Sequence, residues 1–384
     1  MIPPLQDLWA ATYRHAAEHS PFYRELFRGQ PSPPPLEEVP CVDKKTLSER
    51  NLDFLCVPRE KVIDIVTTSG TTGQPLVWML TDPDLRRLAL NERLSFGCAG
   101  LTGADTVLVA VAMDRCFMAG LAYWMGLREI GCGTVRAGSA SPGLVLEMIQ
   151  RVQPTAVVGV PSFLRLIAAK ARESGLDLAR GSVRTAVCIG EPIRGRDFAL
   201  NPSGRAVEEG WGAKVYSTYG VTELANSLCE CPAGSGGHLH DQQLHLEILD
   251  DAGHPVPEGE VGEVVATTFG VEGMPVIRYR TGDCAALHRG PCSCGRSTPR
   301  LGPIVGRKDQ RLKVRGTSLF PSTLAAVLEE TAGVEAFVIV ARAENELSDA
   351  IEILVRGPVS LSGLGEALQL PPQARKRRTF VDLR

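Results

Sequence analysis

From about residue 60 to residue 190 the chain alternates short apolar runs with stretches of helical spacing, and this alternation restricts the fold more than any other feature. KVIDIVTT is followed by DPDLRRLALNERLSFGCAG, DTVLVAVAM by FMAGLAYWMGLREIG, GTVRAG by SPGLVLEMIQRVQ and TAVVGV by SFLRLIAAKARESG, and the series closes on VRTAVCIG. Near-continuous apolar strands, each separated from the next by a helix, belong to a parallel sheet covered on both faces. No segment repeats at a fixed period, which argues against a solenoid.

The flanking regions have other textures. Residues 5–28 carry apolar side chains at roughly helical spacing, and the run PSPPPLEEVP must be extended, because proline fixes φ and removes a backbone donor. Between about 240 and 305, LHLEILD, GEVVATTF and VIRYRT alternate with Gly, Pro and Asp, the pattern of an antiparallel subdomain. After GRKDQ come a helical stretch PSTLAAVLEE, a strand EAFVIVA, a polar turn ENELSD, a strand AIEILV and a basic tail QARKRRTFVDLR. The expected fold is α/β. A large N-terminal domain over 1–306 has parallel-type sheets covered by helices plus an antiparallel β subdomain. A small α+β domain over 307–384 is near the lower limit of independent stability and should dock on the large one or move against it.

Composition works by exclusion. Lys and Arg total 41 against 44 Asp and Glu, a formal charge of −3, so nucleic acid is not an expected partner. No run of eighteen apolar residues occurs, and the N-terminus lacks the basic start, apolar core and cleavage site of a leader. A cytoplasmic protein with no membrane partner is expected.

Four short segments carry chemistry. In VTTSGTTGQP over 66–75, Gly70 and Gly73 let backbone N–H groups approach an anion, while Thr68, Ser69, Thr71 and Thr72 supply hydroxyls. Such a loop can wrap a polyphosphate, but without a Walker lysine it is no P-loop, and an ordinary polar hairpin turn has the same composition. In YSTYGVTE over 216–223, Tyr219 can stack a nucleobase, Thr222 can donate to a phosphate and Glu223 can hold Mg²⁺. In RYRTGD over 278–283, Asp283 after a glycine turn can accept from two ribose hydroxyls or be a plain turn residue. GRKDQRLKVRG over 306–316 is basic and reads, taken alone, as a solvated linker.

The chain has 11 cysteines. Cys41, Cys56, Cys98, Cys116, Cys132, Cys188 and Cys284 stand singly and read as buried reduced thiols. Cys231, His238, Cys292 and Cys294 form a thiolate-rich set suited to a structural Zn²⁺. Cys229 and His240 compete as ligands, the C-x-C spacing is tighter than in zinc fingers, and four free thiols are the alternative.

In this order, TSGTTG, YGVTE, YRTGD and GRKD followed by Gly316 resemble the adenylate-forming superfamily of acyl-CoA synthetases and adenylation domains. The GEP segment over 190–192, the stretch from Glu230 and Cys231 to His238, the CSCGR segment over 292–296 and the tail from Lys376 to VDLR over 381–384 resemble its phenylacetate-CoA ligase-like family. The resemblance runs from about residue 5 to the end. It implies that a carboxylic acid, probed first among aromatic acids, is activated by ATP and Mg²⁺ to an acyl-adenylate and passed to coenzyme A. By that resemblance Thr68, Ser69, Gly70, Thr71, Thr72 and Gly73 hold the β- and γ-phosphates. Gly190, Glu191, Pro192 and Tyr219 frame adenine, Thr222 meets the α-phosphate and Glu223 the Mg²⁺. Asp283 binds the ribose, and Arg307 contacts the ribose or phosphate edge. Lys376 is the adenylation lysine, Asp309 the hinge and Gly316 the lining of the thiol channel. Phe117, Met118, Gly120 and Ile189 line the acyl pocket, some members carry a metal at the cysteine set, and there is room for a homodimer.

The chain departs from the family beside Lys376, where Arg375 replaces the expected glycine and Arg377 and Arg378 follow, and the C-terminal domain is short. Two alternatives therefore stay open: a ligase that passes its acyl group to an amine or a carrier-protein thiol, and a silent homologue that only binds an acyl ligand.

Overall fold

The helical lead-in is two helices, because Ser20 and Pro21 interrupt it. α1 (Leu5–His19) stops at Ser20, whose Oγ accepts from the Tyr23 amide at 3.2 Å and so caps α2 (Pro21–Leu26). Proline at the first helical position suits this start, since its missing N–H would have no partner there. Trp9, Tyr13, Phe22, Tyr23 and Phe27 are buried from this pair, and Phe54 stacks on Phe22. The computed structural model describes residues 3–68, 76–314, 317–330, 334, 336–345, 348–357 and 380–382. The chain divides into two units, one of 1–281 and 286–303, the other of 282–285 and 304–384.

In the first unit, the short α3 (Lys44–Glu49) precedes β1 (Asp64–Thr67) and β2 (Val77–Leu80). The sequence places KVIDIVTT at the head of the parallel series; instead β1 and β2 form a separate two-stranded antiparallel ribbon. Their register pairs Asp64 with Leu80 and Thr67 with Val77, so this ribbon stands apart from the six-stranded sheet. The series proper starts with α4 (Asp82–Cys98), opened by a capping box between Thr81 and Asp84.

β3 (Thr106–Ala110), β4 (Gly133–Arg136), β5 (Ala156–Gly159), β6 (Thr185–Ile189) and β7 (Lys214–Val221) run parallel, and β8 (Asn226–Cys229) pairs antiparallel with β7. The order is β4-β3-β5-β6-β7-β8. The crossovers are α5 (Met118–Ile130), α6 (Pro142–Val152), α7 (Pro161–Glu173) and α8 (Pro202–Trp211). Leu108, Ala110, Val157, Ala186 and Cys188 pack with Val145 and Ile149 of α6, Leu164 and Ile167 of α7, and Val207 and Trp211 of α8. Val107, Val109, Val158 and Val187 alternate with them and are equally buried, so both faces are covered and the strands read as unbroken apolar runs.

α4 packs on α5 and on β8. Gly126 of α5 permits the first contact, because a β-carbon there would overlap Glu92 Cβ. The buried face of α4 is polar: Asp84, Arg87, Asn91, Glu92 and Ser95 are all buried. Ser227 in β8 satisfies much of it. Its amide donates to Asn91 Oδ1 (2.7 Å), its hydroxyl donates to Glu92 Oε2 (2.8 Å), and its carbonyl accepts from Ser95 Oγ (2.8 Å). Burial pushes the Glu92 carboxyl up to about 8 against the opposing pull of the Ser227 hydroxyl.

Beyond β8 come β9 (Gly237–His238), β10 (Leu244–Leu249), β11 (Gly262–Thr268), β12 (Tyr279–Ala285), β13 (Leu287–His288) and β14 (Arg300–Leu301). The antiparallel texture is present, but the strand read in VIRYRT starts later. Arg278 adopts φ +47°, and its buried guanidinium is held by both Glu247 oxygens and by the carbonyls of Glu37 and Val39. Gly282 is likewise not a turn: with φ +76° it lies within β12, so Asp283 is a strand residue. The last residues of β12 belong to the second unit, where they pair with β15 (Gly306–Arg307). GRKD is thus a strand and a 3-10 turn rather than a bare linker.

The second unit continues through the hairpin β16 (Leu312–Val314) and β17 (Thr317–Leu319), then α9 (Pro321–Glu330). β18 (Ala336–Asn345) pairs antiparallel with β19 (Ser348–Arg356) and parallel with β20 (Phe380–Asp382). Phe337, Ile339 and Val355 pack with Leu324, Ala325 and Leu328 of α9. None of the 11 cysteines is in a disulfide; of those read as buried, Cys56, Cys98, Cys188 and Cys284 are, Cys41 and Cys132 are half-buried, and Cys116 is exposed. No helix among the described residues is long and apolar enough to cross a membrane.

The buried acid makes a linkage prediction. Because the folded state holds the Glu92 proton above the ordinary value of 4.5, its contribution is full below that pH and is lost as pH rises toward 8. Glu92→Gln should therefore gain stability relative to wild type as pH rises from 5 to 8 and no further above, read from urea midpoints. A pH-independent difference would contradict a protonated Glu92.

Candidate active site

In an open parallel sheet, ligands bind outside the carboxyl ends of the strands, near the point where strand order reverses. Here the order reverses between β3 and β5. The loop leaving β3 holds Arg115 and Cys116 at φ +58° and +53°, then delivers Phe117 and Met118 to the start of α5. The Cys116 carbonyl accepts from Thr67 N at 2.9 Å, so β1 also ends at this edge. Thr68 is buried, with Oγ1 accepting from Leu76 N at 3.1 Å. Ser69, Gly70, Thr71, Thr72 and Gly73 lie outside the described residues, as do Gly316 and Lys376.

Met118 and Ile189 are buried and Phe117 is half-buried. Gly120 has a packing reason to be glycine, since a β-carbon would overlap the Ala112 carbonyl oxygen. After β6, Gly190 takes φ +73°, which a residue without a β-carbon adopts freely. The Glu191 carboxylate accepts from Ser162 N (2.9 Å) and Oγ (2.7 Å) and so caps the first turn of α7. The Pro192 carbonyl accepts from Asn201 Nδ2 at 2.9 Å, which holds the segment against the start of α8.

Arg194, two residues on, donates from Nε to both Glu230 oxygens at 2.8 Å, and Glu230 also accepts from Ser217 N at 3.0 Å. This buried pair fixes the loop after β6 to β7. Parallel register sets Ile189 level with Thr218, one residue before half-buried Tyr219. β7 ends in a single 3-10 turn over Thr222–Leu224. Glu223 is buried there, and its Oε1 accepts from Tyr279 Oη at 3.1 Å. The second and third motifs therefore touch.

In the second unit Asp283 and Arg307 are paired across β12 and β15, and Arg307 Nε donates to Asp283 Oδ1 at 3.0 Å. Asp309 follows in an exposed 3-10 turn.

The first unit also holds a thiol-rich centre. β14 pairs with both β13 and β9, so the β13–β14 connection, bearing Cys292 and Cys294, meets the segment bearing Cys231 and His238. Their ligand atoms all lie within 4.8 Å of one another. Cys231 and Cys292 sulfurs are 3.6 Å apart, and Cys294 Sγ is 3.5 Å from His238 Nε2. Tetrahedral zinc with sulfur and nitrogen ligands spaces its donors by about 3.5–3.8 Å, so the set fits that ion. His238 Nδ1 lies 3.0 Å from Thr298 Oγ1, which leaves Nε2 to face the thiols. Burial, then Arg296 and Arg300, bring His238 down to about 4 and keep it neutral. Burial pushes the Cys294 thiol up, but hydrogen bonds from the Arg296 backbone and side chain, then Cys292 and Cys231, outweigh it and bring it down to about 6. Cys229 and His240 fall outside the group; His240 Nε2 sits 3.4 Å from Ser95 Oγ.

Sequence reasoning missed Arg87, Arg194, Glu230 and the role of Tyr279. The only signal for Arg87 was a polar stripe at helical spacing in α4, which ordinarily marks a solvated face.

Residues 29–272 match the model of a family described as AMP-binding enzyme. The chain is 32% identical over 354 residues to phenylacetate-coenzyme A ligase of Thermus thermophilus, covering 87% of this chain and 76% of that enzyme. It is 30% identical over 326 residues to the Escherichia coli enzyme of the same name, covering 82% and 72%. Among solved structures, 2-hydroxyisobutyryl-CoA ligase with 2-HIB-AMP and CoA in the thioesterification state is 27% identical with a TM-score of 0.74, covering 91% of this chain and 77% of that one.

Removing Arg194 would strand a buried carboxylate. Arg194→Ala should cost about 3–5 kcal/mol, read as a lower urea midpoint, and a shift within error would contradict the role given to the Glu230 pair.

Proposed function

Since the chain belongs to the AMP-binding enzymes, and within them to the phenylacetate-CoA ligase-like family, we propose that it joins an aromatic carboxylic acid to coenzyme A with cleavage of ATP to AMP and pyrophosphate. In the first half a carboxylate oxygen bonds to the α-phosphorus and pyrophosphate leaves. In the second the thiol sulfur attacks the acyl carbon, AMP leaves and the thiol proton is lost. The observation that carries the reading is the buried Glu223 carboxylate, set by Tyr279 in the turn that ends β7 and flanked along the same sheet edge by Ile189–Pro192 and Phe117–Met118.

The chemistry asks for positioning and charge compensation, because an acid anion and a triphosphate repel. Thr68 to Gly73 are assigned to the β- and γ-phosphates. The backbone of Gly190, Glu191 and Pro192, with Tyr219, is assigned to adenine. Thr222 donates to the α-phosphate. Glu223 is a hard oxygen donor of the kind Mg²⁺ prefers, and the cation would offset phosphate charge. Asp283 accepts from the ribose hydroxyls, oriented by its Arg307 partner, and Arg307 is assigned to the ribose or phosphate edge. Lys376 is assigned to the adenylation step, Asp309 to a hinge and Gly316 to thiol passage. Phe117, Met118 and Ile189 are assigned to the acyl pocket, with Gly120 holding α5 close behind them.

Incubation with ATP, Mg²⁺, CoA and a panel of aromatic and short aliphatic acids should yield AMP and an acyl-CoA thioester for at least one aromatic acid. Pyrophosphate release with no CoA thioester would contradict the acceptor, and no release with any acid would contradict the activity.

We further propose that Cys231, His238, Cys292 and Cys294 hold a structural Zn²⁺. It would cross-link the β9–β14 region, and the reaction asks nothing of it. About one zinc per chain is expected by elemental analysis, with a lower thermal midpoint after chelation. Metal-free protein whose midpoint ignores added zinc would refute the site.

A further inference from the structure

Arg87 is a buried cation whose hydrogen-bonding partners are backbone carbonyls. Its Nε donates to Phe269 O at 2.7 Å, Nη1 to Ala225 O at 2.8 Å and Nη2 to Gln243 O at 2.7 Å. The three oxygens come from separate segments, and the fork of the guanidinium is what reaches them together. Gln243 returns the contact, its Nε2 donating to Arg87 O at 3.2 Å. Asp84, one turn earlier in α4, has its own oxygens taken by Thr81, Glu272 and Gly273 amides and by the Thr81 hydroxyl. Burial lowers Arg87 to about 10, with Asp84 opposing, so it stays charged at neutral pH.

Ala225 is the partner that matters. It sits at φ +44°, ψ +48°, a region that costs an L-residue about 1–2 kcal/mol and persists only where the surroundings over-determine it. It also closes the turn that carries Thr222 and Glu223, its N–H donating to Thr222 O at 3.1 Å. The turn is therefore clamped at two points from outside, by Tyr279 on Glu223 and by Arg87 on Ala225. α4 is a rigid base for the second clamp, since it is held between α5 and β8.

We propose that Arg87 is a positioning residue for adenylation: through the Ala225 carbonyl it fixes the turn so that Thr222 and Glu223 are aimed at the α-phosphate and its Mg²⁺. The proposal rests on the nucleotide assignment of that turn. Arg87 itself touches no substrate; its effect should appear in the Mg²⁺ response and not in acid binding.

The test is the Mg²⁺ dependence of acid-dependent ATP–pyrophosphate exchange in wild type, Arg87→Lys, Glu223→Gln and the double variant. Lysine keeps the charge but lacks the planar fork whose three separate nitrogens meet the three carbonyls. Arg87→Lys should raise half-saturating Mg²⁺ about tenfold and lower kcat about tenfold, with the KM for the acid within about twofold of wild type. In the Glu223→Gln background it should change the Mg²⁺ response less than about twofold further. Ala225→Val disturbs the same contact from the carbonyl side and leaves the buried cation in place. It should show the same Mg²⁺ signature and carries the test if Arg87→Lys does not fold. A wild-type Mg²⁺ response in the folded variant, or effects that multiply in the double variant, would overturn this proposal alone. A Glu223→Gln enzyme with wild-type Mg²⁺ dependence would overturn the assignment of Glu223, and this proposal with it.

Discussion

The layout of the carboxyl edge in the first unit follows from covering the three central parallel strands, β3, β5 and β6, on both faces. Val107 to Ala110, Ala156 to Val158 and Ala186 to Cys188 are almost wholly inaccessible, so a polar side chain without a partner would be costly along these three strands. Polar side chains are pushed to the strand ends, and at the carboxyl edge they collect as the Cys116–Met118 loop, the Gly190–Pro192 segment and the Thr222–Glu223 turn. The chemistry assigned to the protein is placed where the sheet can tolerate it.

The second layer of organisation is a set of buried charges that act as fasteners. Arg87 holds three carbonyls, Arg278 holds Glu247 and two carbonyls, and Arg194 holds Glu230. Arg87 ties the turn that ends β7 to α4, Arg278 ties the segment of Glu37 and Val39 to β10, and Arg194 ties the loop after β6 to the segment beyond β8. Arg86 shows the contrast, for it is mostly exposed and pairs with Asp82 at 2.6 Å. A solvated pair of that kind contributes about 0–1 kcal/mol, whereas a buried guanidinium with its partners removed would leave an uncompensated charge. Two neighbouring arginines thus do unrelated things.

That pair also marks the limit of what could be read from residues. The parallel series was legible because its central strands are apolar throughout, and the YGVTE and YRTGD patterns do meet, through Glu223 and Tyr279. The cysteine centre was legible because thiols and an imidazole at close spacing have few uses. The β1–β2 ribbon was misread because a short apolar run looks the same in a parallel sheet and in an antiparallel pair. Arg278 and Gly282 were misread because left-handed backbone within an apparent strand depends on distant partners, Glu37, Val39 and Glu247 in the first case. The polar face of α4 was invisible for the same reason: Asn91, Glu92 and Ser95 are satisfied by Ser227, more than 130 positions away.

The central claim is that the turn ending β7 presents Glu223 to a cation carried by the nucleotide. A crystal grown with ATP and Mn²⁺ in place of Mg²⁺, measured at the manganese absorption edge, addresses it directly. The expected result is an anomalous peak within about 2.5 Å of the Glu223 carboxylate. Manganese bound elsewhere, with the nucleotide away from the carboxyl ends of β6 and β7, would contradict the account.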